Sequence, residues 1–184
     1  MHRSEDLEFS RPLALDRIST TQHREEIAAT DKERAALAER FGLLSLDRLE
    51  ASFTLKRVRK DLVRAKGRLA AELAQACVVT LDPVPARIDE RFEVDFLEGA
   101  QPAVTDLELD VEGAEAPEPA PDGWVDLGEL AAEQLGLAID PYPRKPDATL
   151  PAEWTSEAAD EPAVEKPNPF AALEKLKRDR KSVV

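Results

Sequence analysis

The stretch LDRLEASFTLKRVRKDLVRAKGRLA, residues 46–70, decides the fold. In its first half, apolar residues return at every second position, at Leu49, Ala51, Phe53 and Leu55. The second half repeats this spacing at Val63, Ala65, Gly67 and Leu69. Such alternation is typical of strands that bury one face and expose the other. We therefore predict a hairpin with one strand over 46–58, a turn at 59–61 and a second strand beyond it.

The second strand of this hairpin is predicted over 62–82, either as one long strand or as a bent pair. Gly67 indicates a bulge or a sharp bend, because glycine inside a strand often marks one. Pro83 and Pro85 are expected to close the element. Cys77 falls on its inward side, where we expect the thiol to behave as a small apolar group.

Two more segments have the pattern of strands. Residues 7–15 alternate, and Pro12 places that strand at a sheet edge or a bulge. From Ile88 to Phe96, apolar residues alternate with charged ones, which predicts a half-buried strand. Residues 19–29 show no clear pattern.

A first helix is marked by its caps. Thr30 and Glu33 have the spacing of a capping box, and an apolar repeat follows them. Gly42 is placed to end the helix in a left-handed conformation. We predict a helix over 31–41.

A second helix is predicted over 125–139. Asp126 is a capping residue, and Glu129 sits three positions later, as in a capping box. Leucines and alanines at helical spacing then form one apolar stripe.

Together these elements predict an α+β fold: an antiparallel curved sheet or partly open β-barrel, with a few packed helices and a flexible C-terminal extension. We expect one domain over 1–142, with an acidic loop at about 98–122. A disordered linker rich in proline and acids is expected over 143–167. A short amphipathic tail helix is expected over 168–184, opened by Pro169 at its first turn.

Charge is distributed unevenly along the 184 residues, whose formal net charge is −13. The excess of acids lies in the second half. An acidic total argues against indiscriminate nucleic-acid binding but leaves room for a local basic patch. The single cysteine excludes an internal disulfide and fits a reducing compartment. With no apolar run long enough for a signal or a membrane span, we expect a soluble, cytoplasmic protein.

The basic patch lies at the predicted hairpin turn. Seven cations fall between positions 56 and 68, namely Lys56, Arg57, Arg59, Lys60, Arg64, Lys66 and Arg68. Gathered on one face, they would follow an RNA phosphate backbone. Two alternatives remain: a solvated sheet face, or pairing with the chain's own acids. No aromatic residue is interleaved, so base stacking is poorly supported.

The C-terminal tail is a second candidate. Phe170, Leu173 and Leu176 would line one apolar face of the tail helix. The long linker gives this helix the reach to dock on a partner. The alternative is that it folds back on its own domain, since about ten residues would hardly be helical alone.

No pattern for catalysis or cofactor binding is present. The chain has no glycine-rich phosphate loop, nucleophile elbow or dinucleotide fingerprint. Cys77, His2 and His23 are too scattered for a structural zinc site. We expect no enzyme activity, no cofactor, no metal and no small-molecule substrate.

Four stretches resemble one known family. They are FSRPLALDRI (9–18), ACVVTLDPV (76–84), VDLGELAAEQLGLAIDPYPRKP (125–146) and NPFAALEKLK (168–177). They are similar to the YceD family of bacterial large ribosomal RNA subunit accumulation proteins, and closest to the form found in alphaproteobacteria. Some relatives carry further cysteines in a pattern that suggests metal binding. This chain lacks them.

The resemblance implies a non-enzymatic factor that promotes accumulation, processing or assembly of 23S rRNA and the large ribosomal subunit. The implied partner is precursor 23S rRNA or the large subunit, contacted by the basic hairpin. The alternative is an acidic escort for a basic large-subunit ribosomal protein, which would use the acids of residues 106–118.

Overall fold

The computed structural model describes residues 7–100 and 116–149. The chain divides into a compact unit, Met1–Pro146, and a second unit, Asp147–Val184. All the described elements lie in the first unit. Its helices are α1 (Asp31–Arg40) and α2 (Leu127–Ala138). Its strands are β1 (Pro12–Ala14), β2 (His23–Ala28), β3 (Ser45–Arg57), β4 (Leu62–Ala76), β5 (Pro83–Glu98), β6 (Glu118–Ala120) and β7 (Trp124–Asp126).

Five strands form the main sheet in the order β2-β3-β4-β5-β6. All neighbours are antiparallel except β5 and β6, which are parallel. Strands β1 and β7 form a separate antiparallel pair. The predicted α+β class is confirmed, and of the two sheet forms considered the open sheet is found, since the strands do not close into a barrel.

The predicted hairpin is confirmed as β3 and β4, which pair from Ser45 with Ala74 to Arg57 with Val63. The inward residues of both strands form the centre of one apolar core with α2. The register shifts once, between Leu46 and Arg48. No helix among the described residues has the length and apolarity to span a membrane.

The expected bulge or bend at Gly67 was wrong. Gly67 pairs in register with Phe53 on one side and Phe92 on the other. A Cβ at this position would lie within 2.7 Å of three carbons of the Phe92 ring. The rings of Phe53 and Phe92 meet edge to face, with their centroids 5.8 Å apart. The glycine therefore makes room for an aromatic pair that packs over the middle of β4.

We predict that Gly67→Ala lowers the free energy of unfolding by about 1–3 kcal/mol, because the new methyl displaces a packed ring. Urea denaturation measures this. In a Phe92→Ala background, Gly67→Ala should lower the free energy of unfolding much less. An equal decrease in both backgrounds would show that the Phe92 ring is not the reason for a glycine at position 67.

The end of β4 also differs from the expectation. The strand stops at Ala76, and Pro83 and Pro85 begin β5 instead of closing β4. Both prolines are exposed, and β6 pairs with β5 only at Phe96–Glu98. The free side of this strand tolerates residues that lack an N–H donor. Between the strands lies a turn in which Leu81 adopts a left-handed φ of 63°.

Strand β2, within residues 19–29, was not predicted. It pairs with β3 along its whole length and forms the edge of the sheet. Its sequence is HREEIA, so its inward positions include His23 and Glu25, which lie half-buried at the edge. Charged edge strands discourage pairing with other chains, and they lack the apolar alternation by which strands are recognised.

Both predicted helices are confirmed. Thr30 and Glu33 form the full capping box of α1, and Gly42 ends it with a φ of 63°. Asp126 caps α2 by accepting from the backbone N–H groups of Gly128 and Glu129. Glu129 does not complete the expected box, because its carboxylate accepts from Arg40 at 2.8 and 3.0 Å.

A polar network joins the two caps through the N-terminal segment. The Asp126 carboxylate accepts from the Arg11 backbone N–H at 2.7 Å and from the Ser10 hydroxyl at 2.5 Å. The Arg11 guanidinium then donates to both Glu33 oxygens, at 2.8 and 3.1 Å. These bonds from Arg11, helped by Thr30, lower the pKa of Glu33 to about 2, against partial burial, which raises it.

This pKa gives the network a defined pH dependence. The Glu33 carboxylate has a lower pKa in the folded protein than in the unfolded chain, so its ion pair stabilises the fold fully at pH values above the unfolded pKa. This stabilisation is lost as the pH falls towards the folded pKa. Near pH 5 we expect Glu33→Gln to lower the free energy of unfolding by about 1–2 kcal/mol. The deficit should shrink steadily as pH falls from about 4.5 towards 2. Denaturant titrations at several pH values test this.

Glu26→Gln is the matched control, because Glu26 is exposed and forms no ion pair in the described part of the chain. It should change the free energy of unfolding little at any pH. A Glu33→Gln deficit that stays constant with pH would contradict the assignment to the Arg11 ion pair.

Some expectations fall outside the described residues. These are most of the acidic loop, residues 101–115, most of the linker, residues 150–167, and the tail helix with Phe170, Leu173 and Leu176. Within the predicted loop, residues 118–120 form strand β6.

Candidate functional site

The seven predicted cations divide into three groups in the structure. Most of them lie on the outer face of the sheet, opposite the core, because strand side chains alternate between faces. Lys56 and Arg64 are cross-strand partners, and Lys66 lies opposite Thr54 one row further along. The turn between β3 and β4 carries Arg59 and Lys60.

Arg57 is a structural residue. Its side chain is 17% exposed. Its guanidinium donates to the backbone carbonyl oxygens of Leu15, Ile18 and Lys60, at 2.5, 2.9 and 2.8 Å, and to Glu98 at 2.8 Å. Arg57 thereby fastens the hairpin end to the turn after β1 and to the end of β5. Its donors are used within the molecule.

Three cations on β4 face a column of acids on β5. Arg64 donates to Asp95 at 2.7 and 2.8 Å, and Arg68 donates to Asp89 at 2.7 and 2.5 Å. Lys66 lies 2.9 Å from Glu93. The bonds from Arg64 lower the pKa of Asp95, and those from Arg68 lower the pKa of Asp89.

The remaining predicted cations form no ion pair within the described residues, although Arg59 acts on Asp95 at longer range and helps to lower its pKa. Lys56, Arg59 and Lys60 are exposed, and none makes an ion pair or side-chain hydrogen bond with another described residue. Arg24 on β2 joins them, since it lies beside Thr54 and is also exposed and unpaired within residues 7–100 and 116–149. Sequence reasoning missed Arg24 because β2 itself was not recognised.

An open depression of about 510 Å³ lies beside these residues, and Lys56 is the one of the four that lines it. Its lining consists of four cationic residues and four others, namely Lys56, Arg57, Arg64 and Lys66 with Thr20, Gln22, Thr54 and Val58. No carboxylate from the described part of the chain lines it. Four other depressions on the described surface are each lined by at least three carboxylates. This arrangement favours an anion such as a phosphate group.

Cys77 lies in the turn between β4 and β5 and is fully buried. Hydrogen bonds from Thr80 and from the Lys145 backbone lower the pKa of the thiol, against burial, which raises it. The Thr80 hydroxyl also lies 3.1 Å from Asp82, so its one proton serves either acceptor. In the described part of the chain, no three His, Cys, Asp or Glu side chains are grouped to hold a metal ion.

We predict opposite roles for two adjacent cations. Arg57→Met should lower the free energy of unfolding by about 2–4 kcal/mol, because it leaves the carbonyl groups of Ile18 and Lys60 and the Glu98 carboxylate without the guanidinium donor. It also takes one of two donors from the Leu15 carbonyl. Lys56→Met should change it by less than about 0.5 kcal/mol, as at most exposed positions. Thermal and urea denaturation of both variants test this. Similar costs would contradict the division into structural and free cations.

Comparison with known proteins places part of the chain in a described family. A family model described as large ribosomal RNA subunit accumulation protein YceD matches residues 65–177. The matched region begins within β4 and includes β5, β6, β7 and α2. No curated protein and no solved structure matches the chain.

Proposed function

The chain belongs to the YceD family of large ribosomal RNA subunit accumulation proteins, and we propose that it supports this accumulation by binding the RNA directly. The binding surface we propose is the free-cation surface, made of Arg24, Lys56, Arg59 and Lys60. The mode of action we propose is non-enzymatic: bound protein shields or positions the 23S rRNA precursor during assembly of the large subunit in the cytoplasm.

One observation carries this proposal: four exposed cations around one hairpin end lack ion pairs within the described residues. In a chain of net charge −13, such a group is a local exception. Exposed lysines and arginines that are not already neutralised can exchange their counterions for phosphates, which drives nucleic-acid binding. The acidic remainder of the surface would repel RNA elsewhere and confine contact to this end.

The acids on β5 define one boundary of the surface. Asp95 and Glu93 already hold Arg64 and Lys66. An RNA backbone that approached from the β5 side would meet carboxylates first. Binding over the hairpin end, where Arg24, Lys56, Arg59 and Lys60 lie, avoids the β5 acids and also Glu26 and Glu50 further along β2 and β3. We therefore propose that the RNA lies across this end of the sheet.

In cells, deleting the gene is expected to lower the ratio of 23S to 16S rRNA. Wild-type protein should restore the ratio. The Lys56→Glu/Lys60→Glu double variant should not, because it reverses two of the four free charges. The control is Lys32→Glu/Arg87→Glu, which makes the same charge change on α1 and at the other end of β5. This control should restore the ratio as wild type does.

The same two variants test in vitro whether RNA binds at the hairpin end or elsewhere on the protein. With a 23S rRNA transcript, Lys56→Glu/Lys60→Glu should weaken binding at least tenfold, and the control should weaken it far less. The slope of log affinity against log salt should fall by about 0.7–0.9 for each phosphate contact removed. Equal loss in both variants, with folding intact, would contradict a local RNA surface.

The escort alternative predicts a different pattern. An acidic escort for a basic ribosomal protein would tolerate Lys56→Glu/Lys60→Glu in cells and fail when the acids of 106–118 are neutralised. Full complementation by the hairpin variant would therefore overturn RNA binding at the hairpin.

A further inference from the structure

The depression beside the free-cation surface offers neutral hydrogen-bonding groups as well as positive charge. Besides its cations, it is lined by the neutral polar side chains of Thr20, Gln22 and Thr54. Thr20 and Gln22 are exposed, and Thr54 is half-buried. None of the three side chains makes a hydrogen bond to another described residue. Their donors and acceptors are therefore open to a ligand.

The register brings these groups together. Thr54 on β3 lies between Arg24 on β2 and Lys66 on β4. Gln22 directly precedes β2, and it shares the depression with Lys56. Neutral hydrogen-bonding groups thus alternate with cations across three neighbouring segments. A phosphate and a sugar hydroxyl alternate in the same way along an RNA backbone.

The cations retain donors for a phosphate. Arg64 uses Nε and Nη2 on Asp95, which leaves Nη1 without a hydrogen bond among the described atoms. Lys66 lies near Glu93 and has three donors in total. Lys56 forms no ion pair with any described residue. The depression can therefore hold an anion without breaking the ion pairs to β5.

From this we propose that the depression is a ribonucleotide subsite that distinguishes RNA from DNA. Lys56, Arg64 and Lys66 bind a backbone phosphate, while Gln22 and Thr54 hydrogen-bond the adjacent ribose 2′-hydroxyl. Hydroxyl and amide groups both donate and accept, as the 2′-hydroxyl does, and that hydroxyl is what separates RNA from DNA chemically. The volume, about 510 Å³, lies within the range of small-ligand sites.

The subsite reads the backbone and not the base. Among residues 7–100 and 116–149, no aromatic side chain lines the depression, so the proposed subsite uses no base stacking. The inference rests on the proposed function, since it assigns the sugar-phosphate class to the same RNA surface. It adds selectivity for RNA, which charge alone does not provide.

The test compares an RNA with the DNA of the same sequence, both as purified oligonucleotides, on the full chain. Wild-type protein should prefer RNA at least tenfold. Thr54→Val and Gln22→Leu should each lower that preference three- to tenfold and leave DNA affinity unchanged. Lys56→Gln should weaken RNA and DNA equally. Thr54→Val keeps a β-branched residue in β3, so folding should persist, which a thermal melt verifies.

Ser52→Ala is the matched control, because Ser52 lies two residues from Thr54 on the same face of β3 but outside this depression. It should leave the preference unchanged. Equal wild-type affinity for RNA and DNA, or equal loss of both in Thr54→Val, would overturn the subsite and leave the RNA surface standing. No binding to either polymer, or binding of an acidic peptide instead, would overturn both proposals.

Discussion

The aromatic pair over Gly67 fixes the register of the three long strands. Phe53 and Phe92 approach β4 from its two neighbours and meet where the chain has no side chain. A slip of one residue would turn every inward side chain of a strand outward, so a tight packing site at the centre of the sheet defines both faces at once. The core face is apolar, and the outer face therefore receives the charges.

The functional hypotheses follow from that register. With β4 fixed between β3 and β5, Arg64 and Arg68 reach Asp95 and Asp89, whereas Lys56 has no acid across from it. The outer face is thus balanced towards β5, while its end at the hairpin turn carries cations without ion pairs among the described residues. The sequence contains a run of seven cations, but only three of them belong to the free-cation surface at the end of the hairpin. Arg24, from a separate strand, belongs to that surface.

Residues 1–64, which precede the family match, belong to the same folded unit as most of the matched region. Residues 1–64 include α1, β2 and β3, and β3 provides half of the hairpin on which the proposed RNA surface lies. The N-terminal segment is joined to the matched region by the bonds of Arg11 to Asp126 and Glu33. Hydrogen bonds to the carboxylates of Asp126 and Glu33 tie the caps of α2 and α1 to the same N-terminal segment.

Alternating apolar residues and capping residues are local signals, so the sequence alone determined the hairpin β3–β4, both helices and the α+β class. It also located the cationic run at the hairpin turn. The sequence could not show β2, because an edge strand with charged inward positions lacks the apolar pattern. Nor could the sequence show that Gly67 makes room for the Phe92 ring of β5, or which cations form ion pairs with acids on β5. Those outcomes depend on which residues the register places opposite one another, and only the tertiary structure decides that.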